Sequence, residues 1–370
     1  MIETKTLLPG VTLRSCRDDR FKQGCLSFQL VRPMAKEESA KNVLIPSVLL
    51  RGTKRCPDLR AITENLDELY GASVSPLVRR VGDYQTTGLY CGFMDDRFAL
   101  PGDRVLAPML RFLEEILLDF PTEGEGFFPA FVEGEKKNLI STIESERNDK
   151  RTYAMGKLLK TMCRGDSFGL PRLGGREGLL PPQTPFHPCP GQDVTETMEV
   201  SQGKLCMGFV TPVVNRDKEF PAMQVFNTVF GAGMTSKLFL NVREAMSLCY
   251  SIGSSYYGAK GILTVGAGID FDKERLTRDE ILRQLDACRR GEITQEELTA
   301  GKEALLSSLR ATSDSPGAIE GYYATACLSS LNMTPERYME AVEKVSLADV
   351  VAAAQTVTLH STYFLKGESQ

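Results

Sequence analysis

The feature that most constrains the fold is a chain that reads twice. Pro33 and Pro212 end two strand-like runs 179 positions apart, Gly52 and Gly231 close the helices that follow at the same offset, and Tyr70 and Tyr250 stand 180 apart. Three landmarks at one spacing point to an internal duplication of about 180 residues. The competing reading is coincidence among residues that commonly stop helices and strands. In the first repeat, strand-like alternation at 25–33 precedes helical patterns over about 35–50 and 58–70, where Leu59, Ile62, Leu66 and Leu69 recur at helical spacing. A strand signal returns at 84–94, and helical patterns resume over 127–163. In the second repeat a strand at 204–212 leads to helices over 217–230 and 236–246, strands at 250–258 and 261–270, and helices over most of 275–356. Strands grouped in pairs with helices between them predict an α+β fold of two similar halves, each a largely antiparallel sheet covered by helices. The expected division is 1–180 for the first half, a connector over 181–197 with five prolines, and 198–370 for the second half.

A net charge of −4 and a pI near 5.6 argue against nucleic acid as a partner, since phosphate-backbone affinity needs clustered Lys and Arg. Ten cysteines, none at a C-x-x-C spacing, read as free thiols, and the start MIETKTLLPG lacks the features of a leader. Both point to a reducing cytoplasm. No window reaches the length of a membrane span.

Two histidines leave little room for histidine chemistry: His187 lies in the proline-rich connector and His360 in the last strand pattern. The stretch FGAGMTSKLF fails both the phosphate-loop and the dinucleotide fingerprints, because Ser236, Lys237 and Leu238 stand where the patterns need other residues. It reads as a glycine turn into a helix capped by Thr235 or Ser236. No G-x-S-x-G is present, no cysteine has a nearby histidine in a suggestive context, and the pairs Glu114–Glu115 and Glu144–Glu146 read as solvated helix faces. In SKLFLNVREAMSLCYSIGSSYY, Leu238, Val242 and Met246 make an apolar face with Arg243 beside it, and Tyr250 opens the next strand. An Arg fork and a Tyr hydroxyl are able to converge on an oxygen such as a peptide carbonyl. On spacing alone, a capping or ion-pairing Arg243 explains the residue as well.

The run of a glycine turn, SKLF, VRE and LCYSIGSS resembles the C-terminal half of the insulinase/pitrilysin family of metallopeptidases, which includes the mitochondrial processing peptidase. LLRGTKRCPDLRAITENLDELYGASVS is similar to the matching N-terminal segment of helix, Gly-Thr, helix and strand. The resemblance implies paired α+β domains enclosing a chamber for an unfolded peptide. It also implies an inverted zinc motif, H-x-x-E-H, on the helix before Gly-Thr. Counted back from Gly52, that motif falls on Val43, Leu44, Ile45, Pro46 and Ser47, so its two ligands and its base are all replaced. The acidic residues near Glu135 and Glu144 then have no site to complete, and no metal ligand or cofactor is expected in this chain. Pro46 in the base position predicts a helix bent or interrupted there.

The family's Arg/Tyr contact to substrate near the scissile bond does match, at Arg243 and Tyr250. What the resemblance implies is therefore a zinc-less, substrate-binding subunit of a heterodimeric zinc peptidase. A homologous partner subunit would carry zinc, and a peptide or unfolded polypeptide would be the substrate. The alternative is a free-standing peptide-binding or structural homodimer.

Overall fold

The computed structural model describes residues 2–173 and 189–367. The first part of the expected connector, 181–188, lies outside the described residues, His187 with it. The chain opens with a hairpin of β1 (Ile2–Leu8) and β2 (Val11–Cys16), turned at Pro9-Gly10 with Gly10 at φ +81°. Next come β3 (Gln23–Pro33), α1 (Lys36–Leu49), α2 (Leu59–Glu68), β4 (Ser73–Val81) and β5 (Tyr84–Met94). Helix α3 (Leu106–Leu118), the two-residue strands β6 (Thr122–Glu123) and β7 (Gly126–Phe127), α4 (Pro129–Ser145) and α5 (Lys150–Met162) complete the first set. The helical pattern expected over 127–163 is thus two helices, parted where the Asp149 carboxylate accepts from the amides of Arg151 and Thr152 and starts a new helix.

The second set begins with β8 (Asp193–Thr197) and β9 (Gly203–Val210), followed by α6 (Phe220–Phe230) and a π-helix over Leu238–Ala245. Strands β10 (Cys249–Tyr257) and β11 (Ile262–Ile269) lead to α7 (Glu274–Arg289), α8 (Gln295–Ala311), α9 (Pro316–Leu328), α10 (Pro335–Lys344), α11 (Leu347–Thr356) and β12 (Thr358–Lys366). The first sheet has the order β3-β5-β4, all antiparallel. The second has the order β10-β11-β9-β12-β8, antiparallel except for the β12–β8 pair.

The α+β expectation therefore holds, and the repeat is visible in topology. β4-β5-β3 and β10-β11-β9 are the same three-strand unit. The segments of β3 and β9 align as QGCLSFQLVRP and QGKLCMGFVTP, sharing Gln, Gly, Leu, Val and Pro at equal positions. Helices α4 and α8, and then α5 and α9, begin and end 166 residues apart at every boundary.

The halves trade helices. Ala154, Leu158, Leu159 and Met162 of α5 are buried, and they pack with Cys206, Ile262, Tyr363 and Leu365 of the second sheet. Gly208 permits this close approach, since a Cβ there would sit 1.9 Å from the Met162 sulfur. In return, α9 of the second set lies on β3 of the first. Its Glu320 accepts hydrogen bonds from Ser27 (2.7 Å), Gln29 (2.8 Å) and both terminal nitrogens of Arg79 (2.9 and 2.6 Å). A carboxylate with 13% side-chain exposure that satisfies three partners is a strong tie. Glu320→Ala is expected to cost about 2 kcal/mol in urea unfolding, the scale of a lost charged hydrogen-bond set that water partly replaces.

The larger core lies in the second half, where α6 buries nine of its eleven residues and so reads apolar all round. Among the described residues no helix is long and apolar enough to cross a membrane.

Candidate functional site

Helix α1 carries the emptied motif. It starts with Glu37 and Glu38 in its first turn, which suits the helix dipole. It continues through Pro46 to Leu49, so the expected interruption at the proline does not occur. Pro46 removes one donor, but its own carbonyl still accepts from Leu50 (3.2 Å), and buried Val43, Val48 and Leu49 hold the helix in place.

Gly-Thr after the helix has a structural cause. A Cβ at Gly52 would stand 2.7 Å from the Pro57 carbonyl oxygen. Fully buried Thr53 accepts from the Cys56 amide (2.9 Å) and donates to Glu115 of α3 (2.5 Å).

The positions that hold zinc in the family resembled do not fit a metal here. Val43 and Pro46 have no donor atom in their side chains, and a Ser47 hydroxyl is a poor zinc ligand. Glu135 on α4 is engaged by Arg51, with Asn138 also donating to it at 3.2 Å, and Glu144 is exposed. Among the described residues no cluster of His, Cys, Asp and Glu is able to hold a metal ion.

Arg243 and Tyr250 share one open cleft of about 350 Å³, lined also by Glu244, Ser247, Leu248, Cys249, Asp270 and Lys273. Arg243 projects from the π-helix, in which the Met246 amide bonds five residues back to the Asn241 carbonyl (3.1 Å). This winding separates the expected apolar face: Leu238 and Val242 are fully buried, while Met246 is 42% exposed. Before the helix, the Ser236 hydroxyl accepts from the Phe239 amide at 3.4 Å and donates to the Gly233 carbonyl at 2.7 Å, the capping role expected for Thr235 or Ser236. Ser247 closes the turn at φ +50°, a left-handed conformation that is strained for serine.

The Arg243 guanidinium sits 4.6 Å from the Phe239 ring centre and makes only a loose 3.5 Å ion pair with its neighbour Glu244. Its donors face the cleft without a strong competing carboxylate. Tyr250, more than half exposed, donates its hydroxyl to Asp270 at 2.6 Å. Lys273 pairs with the same carboxylate at 3.0 Å and donates to the Ser247 carbonyl at 3.2 Å.

Hydrogen bonding to Asp270 raises the Tyr250 hydroxyl above its ordinary value of 10, and the bonds from Tyr250 and then Lys273 lower Asp270. Since Asp270 is lowered on folding, its contacts are intact above the ordinary carboxylate range and are lost as pH falls through the lowered value. Tyr250 is accordingly expected to titrate above the ordinary phenol range, and to fall back toward it in Asp270→Asn. Ultraviolet difference titration against Tyr250→Phe reads this directly.

Asp270 and Lys273 are the site residues that sequence reasoning missed. The signal available was positional: Asp270 directly follows Ile269, whose strand partner, Cys249, precedes Tyr250. His360, expected to be an ordinary strand residue, has its Nε2 2.6 Å from the Cys189 carbonyl and its Nδ1 2.8 Å from the Ser361 hydroxyl. The ten cysteines are free, and burial raises Cys91, Cys206 and Cys288 to about 12, which makes them poor nucleophiles.

Fold and site together define a duplicated peptidase-type α+β protein without the metal ligands of a zinc peptidase. Residues 156–305 match the family described as "Peptidase M16 inactive domain". The chain is 26% identical to "Probable inactive metalloprotease YmfF" of Bacillus subtilis, over 99% of this chain and 98% of that one. A conserved protein from Enterococcus faecalis superposes with a TM-score of 0.89 at 24% identity, covering 100% of this chain and 99% of that one. A peptidase M16 inactive domain from Pseudomonas fluorescens superposes at 0.79 with 14% identity, over 100% and 98%. Residues 156–305 thus resemble the inactive domain of the M16, or insulinase, metallopeptidases, and the whole chain shares the fold of these relatives.

Proposed function

We propose that the chain is the non-catalytic, substrate-binding subunit of a heterodimeric zinc peptidase. In this reading it supplies half of the wall of a peptide-holding chamber, and Arg243 with Tyr250 contacts the substrate backbone. The zinc, its ligands and the base belong to a homologous partner subunit in a processing-peptidase-like arrangement, and the pair works in the cytoplasm, where ten free cysteines stay reduced.

The observation that carries the reading is the contrast between two sites in one chain. The helix that would hold metal has neither histidine nor the glutamate at its motif positions, while the Arg/Tyr pair stands together in an open cleft. A guanidinium held over an aromatic ring and a hydroxyl on a strand are both suited to donate to the carbonyl of an extended peptide. Asp270, itself paired with Lys273, holds the hydroxyl until a substrate oxygen replaces the carboxylate as its acceptor.

The test is reconstitution. The chain is mixed with a zinc-motif homologue encoded by the same organism, and peptide cleavage is assayed with each chain alone and with both. Synergistic cleavage that Arg243→Ala suppresses supports the reading. Cleavage by the zinc homologue that the chain leaves unchanged, or a stable homodimer that ignores the homologue in gel filtration, rejects it.

A further inference from the structure

We propose that the free edge of β3 accepts an extended strand from a partner polypeptide. The argument rests on the two halves of the chain itself. In the second half, β9 is flanked by β11 on one side and by β12 on the other, and β12 separates β9 from β8. In the first half, the twin strand β3 has β5 on one side and, among the described residues, no strand on the other. The twin of β8 is β2, joined to β3 by a short link just as β8 is joined to β9. Among the described residues β2 pairs only with β1.

Three further contrasts mark the same position. Phe28 and Leu30 on β3 are 37% and 53% exposed, whereas their counterparts Met207 and Phe209 on β9 are both at 0%. Helix α5 lies on the complete sheet with four buried residues, but α9, its counterpart, buries only Ala326. And α5 reaches β8 through Tyr153 and Lys157 to Glu196 (2.7 and 3.2 Å), as α9 reaches β2 through the Cys327 sulfur, 2.9 Å from the Arg14 guanidinium. Helix α9 thus touches β3 at one end and β2 at the other, bridging a place where the second half has a strand.

The origin lies in chain length. After α9 the second half continues through α10, α11 and β12, whereas after α5 the chain reaches β8 within about thirty residues. No described residue supplies the strand that would finish the first sheet, which in this proposal comes in trans. Its chemistry follows from β12, TLHSTYFLK: an extended segment of about nine residues that runs antiparallel to β3 and carries bulky apolar side chains on the face of Phe28 and Leu30. A strand edge with unpaired backbone groups and apolar side chains beside it is the acceptor that strand addition requires. The inference does not depend on a zinc-bearing partner, and its test needs no protease assay.

The probe is a synthetic peptide with the sequence of β12, and the readout is amide hydrogen exchange of the full chain. The β3 amides that do not bond to β5 are expected to exchange fast in the isolated chain and at least ~10-fold more slowly with excess peptide. The variant Leu30→Asp should lose that protection while its unfolding midpoint stays near the wild-type value, since this side chain is already more than half exposed. Three results would overturn the proposal: edge amides of β3 protected in the isolated chain, whether by its own residues or by a second copy; no slowing with the peptide; or equal slowing with a scrambled peptide.

Discussion

Lys260→Met should destabilise the protein by about 3–5 kcal/mol in urea unfolding, the cost of removing the cation from a buried ion cluster. Lys260 stands in the turn between β10 and β11, Asp83 in the corresponding turn between β4 and β5, and Asp166 just beyond α5. Lys260 Nζ lies 2.6 Å from Asp83 and 3.1 Å from Asp166, and the three side chains are 0%, 2% and 3% exposed. Ser167 donates to Asp83 at 2.5 Å. Burial raises the Asp166 carboxyl, so without Lys260 the cheaper course for Asp166 is to take up a proton. The sign follows. In the variant the Asp166 carboxyl has a folded-state value above its unfolded one, so stability falls as pH rises and returns as pH drops toward the carboxylate range. The triple variant Lys260→Met/Asp83→Asn/Asp166→Asn is expected to regain most of the loss, because no charge is then left buried. A Lys260→Met protein as stable as wild type at neutral pH would show that the cluster does not hold the two hairpin tips together.

Arg243→Ala should lower kcat/KM of the reconstituted pair by roughly 10²- to 10³-fold, the usual loss when a donor to a developing oxyanion is removed. The side chain is 40% exposed and its one ion pair is loose, so the folded state has little to lose. A fall in activity with an unchanged unfolding midpoint and unchanged co-elution separates a substrate contact from a structural role. Tyr250→Phe should act in the same direction by a smaller factor, because Asp270 already occupies the hydroxyl and a substrate must displace it. Unchanged rates in both variants would leave the pair without a part in catalysis.

The duplication was legible because β3 and β9 hold the same place, beside β5 and β11, in one three-strand unit. Leu26, Val31 and Pro33 match Leu205, Val210 and Pro212 at equal positions. The Arg243/Tyr250 pair was legible for a different reason: one helix and the next strand place both on a short span, so little folding is needed to bring them together. What sequence could not convey is the exchange of α5 and α9. An apolar stripe says that a helix buries a face, and it is silent on which sheet receives it. Asp270 and Lys273 lie in IDFDKE, which reads as a solvated turn until strand pairing brings it beside Tyr250. The winding of Leu238–Ala245 escaped for want of a composition that distinguishes a π-helix from an α-helix. At Pro46 the local rule was overruled by packing, because the helix around the proline is buried on the sheet. The β1–β2 hairpin was passed over although its Pro-Gly turn was a signal.

The traded helices also set the order in which this protein is able to form. A ribosome that has released everything up to Met162 has made α5 but not the strands it rests on, and the first sheet still waits for a helix that begins at Pro316. Neither half completes its own surface from its own sequence, so cutting the chain at the connector would yield two fragments with exposed seams rather than two stable domains. Pairings this distant along the chain close large loops before any contact rewards them, which favours slow refolding. Assembly is therefore a late event at the level of the whole chain, which needs both α9 and, after it, β12 under α5.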